Sequence, residues 1–206
     1  MKLLLNNFSR LISFTRAKNW LQSLGLSISK TTLTTYFEYL RSSFFLFDNT
    51  IFSRSIKDRL QYPRKIYVID NGFASALTDR FSTDHGWFFE NLVARELYRT
   101  TVVYPRKEIF YWKSGDREVD FIVKDNVKVK KLIQVCSDLT PQKKSREVTN
   151  LLKASEDVNC DTLYVITDEY AATEERQGKN ITYIPLWKWL LQRSSNMKDE
   201  QTRRKK

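Results

Sequence analysis

Glycine is scarce in this chain. The five present, Gly25, Gly72, Gly86, Gly115 and Gly178, never fall at phosphate-loop spacing ahead of a Lys. Walker-type nucleotide binding is therefore excluded, and no nucleotide cofactor is expected. Histidine is scarcer still: His85 stands alone, and no Cys-x-x-Cys pair accompanies it. That argues against a zinc site and leaves His85 as a solvated loop residue ahead of a helix. The two cysteines, Cys136 and Cys160, are expected to stay reduced. No run approaches the roughly 18 apolar residues of a membrane span, so no membrane partner is expected. The opening "MKLLLNNFSRLISF" has a short apolar run with no small-residue cleavage site behind it, which predicts a cytoplasmic protein.

What is present reads as globular and basic. Hydrophobic residues make up 41% of the chain and aromatics 14%, enough to build a core. The net charge of +11 and a pI near 9.6 suit a polyanionic partner, nucleic acid before an acidic membrane surface.

In the first third, "LISFTRAKNWLQSL" (11–24) has helical spacing through Ile12, Ala17, Trp20, Leu21 and Leu24, and Gly25 ends it. Ser29 is a plausible cap for a second helix in which Leu33, Phe37 and Leu40 form one stripe. Lys30, Thr31 and Thr35 point elsewhere. Two strand-like runs follow, "FFLFDNTIF" and "RKIYVID", joined by the basic "SRSIKDRLQYP". Helix, turn, Thr/Lys-fronted helix and a basic wing predict a winged helix-turn-helix over residues 1–72. Its DNA contacts would be Lys30, Thr31, Thr35, Arg54, Lys57 and Arg59, although no base-reading Arg or Asn begins the second helix.

Residues 73–85 read as a linker. Beyond it, 86–192 predict a helix from Trp87, strands at "EIFYWK", "EVDFIVK" and "KKLIQVCSD", a helix opened by Pro141, strands at "DTLYVITD" and "ITYIPL", and a last helix from "WKWLLQ". This is an α/β domain around a mixed sheet. Residues 193–206 read as a disordered basic tail. Strict alternation along "EVDFIVK" puts Glu118, Asp120 and Ile122 on one face and Val119, Phe121 and Val123 on the other. Gln134 and Cys136 share a face, and Glu90 sits on a largely apolar helix face. Polar groups from three elements can then converge, at a cost of several kcal/mol for a lone buried carboxylate unless it is paired or holds a metal.

The order αβββαβ, with Glu90, "EVDF" around Asp120 and "IQVC" at 133–136, resembles the PD-(D/E)XK nuclease superfamily. More narrowly, "ISKTTLTTYFEYLRSSFFLF", "KIYVIDNGFASAL" and "FFENLVARELYR" are similar to the C-terminal region of archaeal-type AAA+ ATPases, a domain of unknown function with a nuclease-like fold. The resemblance spans about residues 10 to 190 and implies a preceding ATPase domain, which this sequence reads as lacking. It implies a restriction-endonuclease-like fold behind the winged helix, with Glu90, Asp120 and Gln134 as ligands of Mg²⁺ or Mn²⁺ if the site is active, and Glu90, Asp120, Gln134 and Cys136 at the catalytic positions. Active superfamily members carry an acid and a Lys where this chain has Gln134 and Cys136. Lys131, Lys143, Lys144 and Lys153 are the candidates to replace that ammonium from a neighbouring element.

Three functions stay open at this point. The leading one is a DNA-binding protein with a degenerate, weakly active or silent nuclease-like site. The alternatives are a divalent-metal-dependent DNA endonuclease and a protein-interaction module derived from an AAA+ ATPase. A homodimer is an open option.

Overall fold

The computed structural model describes residues 4, 6–77 and 86–193. The expected loop at His85 and most of the expected basic tail lie outside the described residues, as does much of the 73–85 linker.

The chain forms a nine-stranded mixed sheet with helices on both faces. A short strand β1 (Leu11–Ile12) precedes helices α1 (Phe14–Ser23) and α2 (Lys30–Ser42). Strand β2 (Leu46–Ile51), helix α3 (Ile56–Gln61), strand β3 (Arg64–Val68) and helix α4 (Asn71–Leu77) follow. Then come α5 (Gly86–Val103), β4 (Lys107–Ser114), β5 (Arg117–Asp125), β6 (Lys128–Val135) and α6 (Pro141–Val158). The last elements are β7 (Leu163–Thr167), β8 (Ala172–Arg176), β9 (Lys179–Pro185) and a helix α7 (186–193). The strand order is β1-β3-β2-β4-β5-β6-β7-β9-β8, with parallel pairs at β2/β4, β6/β7 and β7/β9.

Local chemistry explains the elements and several departures from expectation. The first helix starts at Phe14, not Leu11, because the Ser13 side chain caps it and Leu11–Ile12 pair with Lys65 and Arg64 of β3. Ser29 caps α2 as expected, accepting from the Thr32 N–H at 3.0 Å, and Phe37 is its buried residue. The basic connector between β2 and β3 is not an open wing. It coils into α3, capped by Ser55, whose hydroxyl accepts from the Asp58 N–H. The first residues of the expected linker continue helix α4. Strand β8 went unrecognised because its "ATEER" is an exposed, charged edge strand lacking an apolar face, and the turn at Gln177–Gly178, both at positive φ, folds it onto β9.

The strands from the first third continue the same sheet as the rest. Thr50 and Ile51 of β2 pair in parallel with Phe110 and Tyr111 of β4, and Phe52 N–H donates to the Tyr111 carbonyl at 2.7 Å. Asn91 of α5 clasps Val68 of β3, accepting from its N–H and donating to its carbonyl, both at 2.9 Å. Two cores flank the sheet. Val148, Leu151 and Ala154 of α6 pack on Val119, Ile122 and Leu132. Val93, Ala94 and Leu97 of α5, with Trp189 of α7, pack on Phe47, Tyr67, Phe121 and Ile133.

Those two clusters correct the expected alternation along β5. Val119 and Ile122, assigned to opposite faces, lie in one cluster, while Phe121 lies in the other. Phe110 pairs with Ile122 and Trp112 with Val119, so Asp120 and Phe121 together oppose Tyr111 alone. The extra residue is a β-bulge, which resets the two-residue period and re-aims a side chain.

Candidate functional site

The most concentrated buried charge surrounds Lys65, a residue of β3 whose side chain is 2% exposed. Its Nζ lies 2.7 Å from Asp120 Oδ1, 2.6 Å from Glu118 Oε1 and 3.1 Å from Glu90 Oε1. Tyr67, two residues along β3 and therefore on the same side, donates its hydroxyl to Glu90 Oε1 at 2.8 Å. Glu90 comes from the early turns of α5, and Glu118 and Asp120 from β5 either side of the bulge's start.

Burial by itself would lower the Lys65 pKa. Asp120 and then Glu90 outweigh it and hold the ammonium well above its ordinary range. Burial pushes the Glu90 carboxyl from near 4.5 up to about 8, with the charge of Asp120 adding and Lys65 opposing. Burial and the adjacent Glu90 also raise Tyr67, which keeps its phenol a donor.

Asp120 is held from its other oxygen as well. Its Oδ2 accepts from the Val135 N–H at 2.8 Å, and its own N–H donates to Gln134 Oε1 at 3.2 Å. Gln134 thus ties β6 to β5 beside the charge cluster. Cys136 lies elsewhere, in the apolar cluster under α6. It is 8% exposed, its Sγ donates to the Asp138 carbonyl, and burial pushes its thiol up to about 11. Glu147 of α6 is a further buried carboxyl, raised by burial with Asp120 adding, and bound by Arg146 at 2.6 Å.

Of the residues the sequence singled out, Glu90 and Asp120 both reach Lys65, Gln134 meets Asp120 only at its backbone N–H, and Cys136 lies in the apolar cluster under α6. The sequence reading missed Lys65, Tyr67, Glu118 as an ion partner, and Glu147. None of the four lysines proposed to replace the lost ammonium reaches the cluster: Lys143 pairs with Asp138, Lys144 with Glu174, and Lys153 with Glu156 and Asp157, while Lys131 stands over the Tyr164 ring. The faint clue to Lys65 was a lysine inside the apolar strand "KIYV", where a solvated residue has no place.

In this arrangement the donors do not suit a divalent ion. Their oxygens converge on an ammonium, and the Gln134 carbonyl oxygen is engaged by a backbone N–H. Among the described residues no group of three or more His, Cys, Asp or Glu is arranged to hold a metal.

Lys30, Thr31 and Thr35 of the candidate DNA contacts lie on α2, Lys57 and Arg59 on α3, and Arg54 in the bend before α3; both helices pack on β2. Lys30, Thr31, Thr35, Arg54 and Lys57 are exposed, and the Thr35 hydroxyl turns back to the Thr31 carbonyl at 3.1 Å. Arg59 differs: it is half-buried, with its guanidinium carbon 5.7 Å from the Phe110 ring centroid. No helix among the described residues is long and apolar enough to cross a membrane.

No solved structure matches the chain. An uncharacterized protein of Methanocaldococcus jannaschii is 34% identical over 195 residues, covering 92% of this chain and 43% of its own length. An uncharacterized protein of Haemophilus influenzae is 23% identical over 189 residues, covering 92% of this chain and 44% of its own. The chain therefore spans less than half the length of these curated relatives. Residues 1–84 match a family model described as "Domain of unknown function (DUF8612)". Residues 85–189, the stretch that holds Glu90, Glu118, Asp120, Gln134 and Glu147, match the model described as "Domain of unknown function (DUF4143)", and the chain belongs to that family.

Proposed function

We propose that this protein binds DNA through its basic surface and carries a nuclease-like site that is silent or slow. The observation behind the second half is the seat of Lys65: its ammonium sits among Glu90, Glu118 and Asp120, the acidic groups that a divalent cation would need. The protein thus supplies its own cation where the ion would sit. The first half draws on the net charge of +11 and on exposed cations, among them Lys30, Arg54, Lys57, Lys128 and Lys130. The winged-helix reading of the first third and the nuclease-like reading of the remainder belong to this proposal, as does the option of a homodimer.

The same lysine favours a second reading. The ammonium missing at Cys136 is supplied in space by Lys65, 2.7 Å from Asp120, so an acid and a lysine still stand together. In that reading the protein is a DNA endonuclease needing Mg²⁺ or Mn²⁺, and Lys65 must move aside or act beside the ion.

Gel shifts and cleavage assays on duplex, junction and single-stranded DNA, with Mg²⁺, Mn²⁺ or EDTA, separate these readings. Binding that falls steeply between about 50 and 200 mM salt, without metal-dependent cleavage, is the expected result. Cleavage lost in both Lys65→Ala and Asp120→Ala would establish the second reading. Absence of binding to every form at low salt would overturn both and leave a protein-interaction module, for which the exposed Trp20, Tyr36 and Tyr39 of α1 and α2 offer the surface.

A further inference from the structure

Three strands start or finish at one end of the sheet: β4 starts at Lys107, β5 finishes at Asp125 and β6 starts at Lys128. Their register sets Asp125 opposite Lys107 on one side and Lys128 on the other. Two residues turn β5 into β6, with Asn126 at positive φ and its N–H donating to the Arg106 carbonyl at 3.0 Å. The segments 106–108 and 124–131 meet here and carry six cations against two acids, a net charge of +4 in eleven residues. Arg106, Lys128 and Lys130 line a recess of about 290 Å³, together with Asp125, Asn126 and Val127.

The two acids do not offset these cations. Asp125 is taken by Arg106 at 3.2 Å, and Glu108 by Lys124 at 2.5 Å, while Lys128, Lys130 and Lys131 are exposed. Lys131 registers the crowding: burial, then Arg193 and Lys107, hold its ammonium below its ordinary range. Like charges gathered in one place repel each other and favour a bound anion. Lys130 has no residue opposite it, since Lys124 pairs with Val129 and Val123 with Lys131. Such a bulge re-aims a side chain, and here that side chain lines the recess. The basic tract continues toward α3, because Arg59 of α3 and Lys124 of β5 stand over the same ring, Phe110, at 5.7 and 6.0 Å. Asp120 is five residues back along β5, about 17 Å at the usual strand rise and beyond the screening length at physiological salt. The acidic cluster therefore does not oppose an anion at this end.

We propose that the recess at the β5–β6 turn holds phosphate groups of a nucleic-acid backbone, and that the bound strand continues past Phe110 toward α3. The proposal rests on the DNA-binding reading and gives it a second set of contacts, outside the residues expected from the sequence. The ligand chemistry is a phosphate oxyanion, because Arg and Lys present donors and no acceptor. A row of phosphates fits better than a single one: β4 and β6 stand two strand spacings apart, about 10 Å, and cations lie on both. Contacts of this kind position the nucleic acid without reading its sequence.

The test measures binding of the full chain to a labelled duplex and a labelled single strand by fluorescence anisotropy, from about 50 to 200 mM salt. Lys128→Ala with Lys130→Ala is the recess variant, and Arg176→Ala with Lys188→Ala removes two exposed charges elsewhere as its control. Lys128→Gln with Lys130→Gln takes its place if alanine disturbs folding as judged by circular dichroism. The recess variant should lower the slope of log affinity against log salt by about 2 and weaken binding about tenfold at the lowest salt, while the control leaves both nearly unchanged. Equal losses in the two variants, or no loss in the recess variant, overturn the proposal and leave the DNA-binding reading standing. Absence of wild-type binding to either form overturns both. Inorganic phosphate, titrated into the DNA-free protein by calorimetry, should give no saturable heat. Saturable phosphate binding that the recess variant loses would make this a site for free phosphate and overturn the nucleic-acid assignment.

Discussion

Lys65 Nζ and Asp120 Oδ1 meet at 2.7 Å across 55 residues of sequence, both buried. A charge pair of this kind is expensive to break, since removing one partner strands the other. Lys65→Met should therefore destabilise the protein by about 3–5 kcal/mol in urea unfolding. Adding Glu90→Gln and Asp120→Asn to Lys65→Met should restore much of that loss. Additive losses across the triple variant would show that Lys65 matters through packing and not through charge.

The raised Glu90 sets a pH dependence. Between about 4.5 and 8 the unfolded carboxyl has lost its proton while the folded one retains it. The folded state thus binds more protons in that window, so this group's contribution to stability declines as pH rises through it. Glu90→Gln should flatten that decline when stability is measured from pH 5 to 8. A slope unchanged by the substitution would assign it to another group.

Arg54 and Lys57 should behave as phosphate contacts, and Arg59 should not. Arg54→Ala and Lys57→Ala are each expected to reduce the slope of log affinity against log salt by about 1. Arg59→Ala, which removes a guanidinium from the Phe110 ring, should lower thermal stability with little change in that slope. The reverse pattern in a salt titration would relocate the DNA surface.

Cys136 and Cys160 are both buried with thiols raised by burial. Neither should react with iodoacetamide at pH 7.5 on a scale of hours, and both should react in 6 M urea, as mass spectrometry would show. Fast alkylation of Cys136 in the folded protein would contradict its place under α6.

Asn91 holds α5 to β3 by satisfying both backbone groups of Val68. Asn91→Ala should cost about 1–3 kcal/mol for each group left stranded. Hydrogen exchange at the Val68 amide should rise with it. Protection there that survives the substitution would mean another partner takes over.

Much of this was legible in the sequence because it depends on local pattern. Ser29 and Pro141 mark helix starts, apolar periodicity marks α2, α5 and α6, and the strands β4 to β7 stand out as β-rich runs. That Glu90, Asp120 and Gln134 carry polar groups into apolar elements was legible in the same way. What needed tertiary structure were features without a local signature. The bulge at Asp120 and Phe121 is a matter of register against β4, and register is a property of two strands. The pairing of β2 with β4 joins segments about sixty residues apart, with no sequence pattern to announce it. Lys65 became the centre of the site only when folding brought its ammonium to three carboxylates, because a long flexible side chain declares its partner through distance alone. Composition and periodicity therefore determined the elements and the acidic residues. Packing alone decided that an internal lysine sits among those acids, and that the amide of Asn49 is buried with its hydrogen bonds unmade.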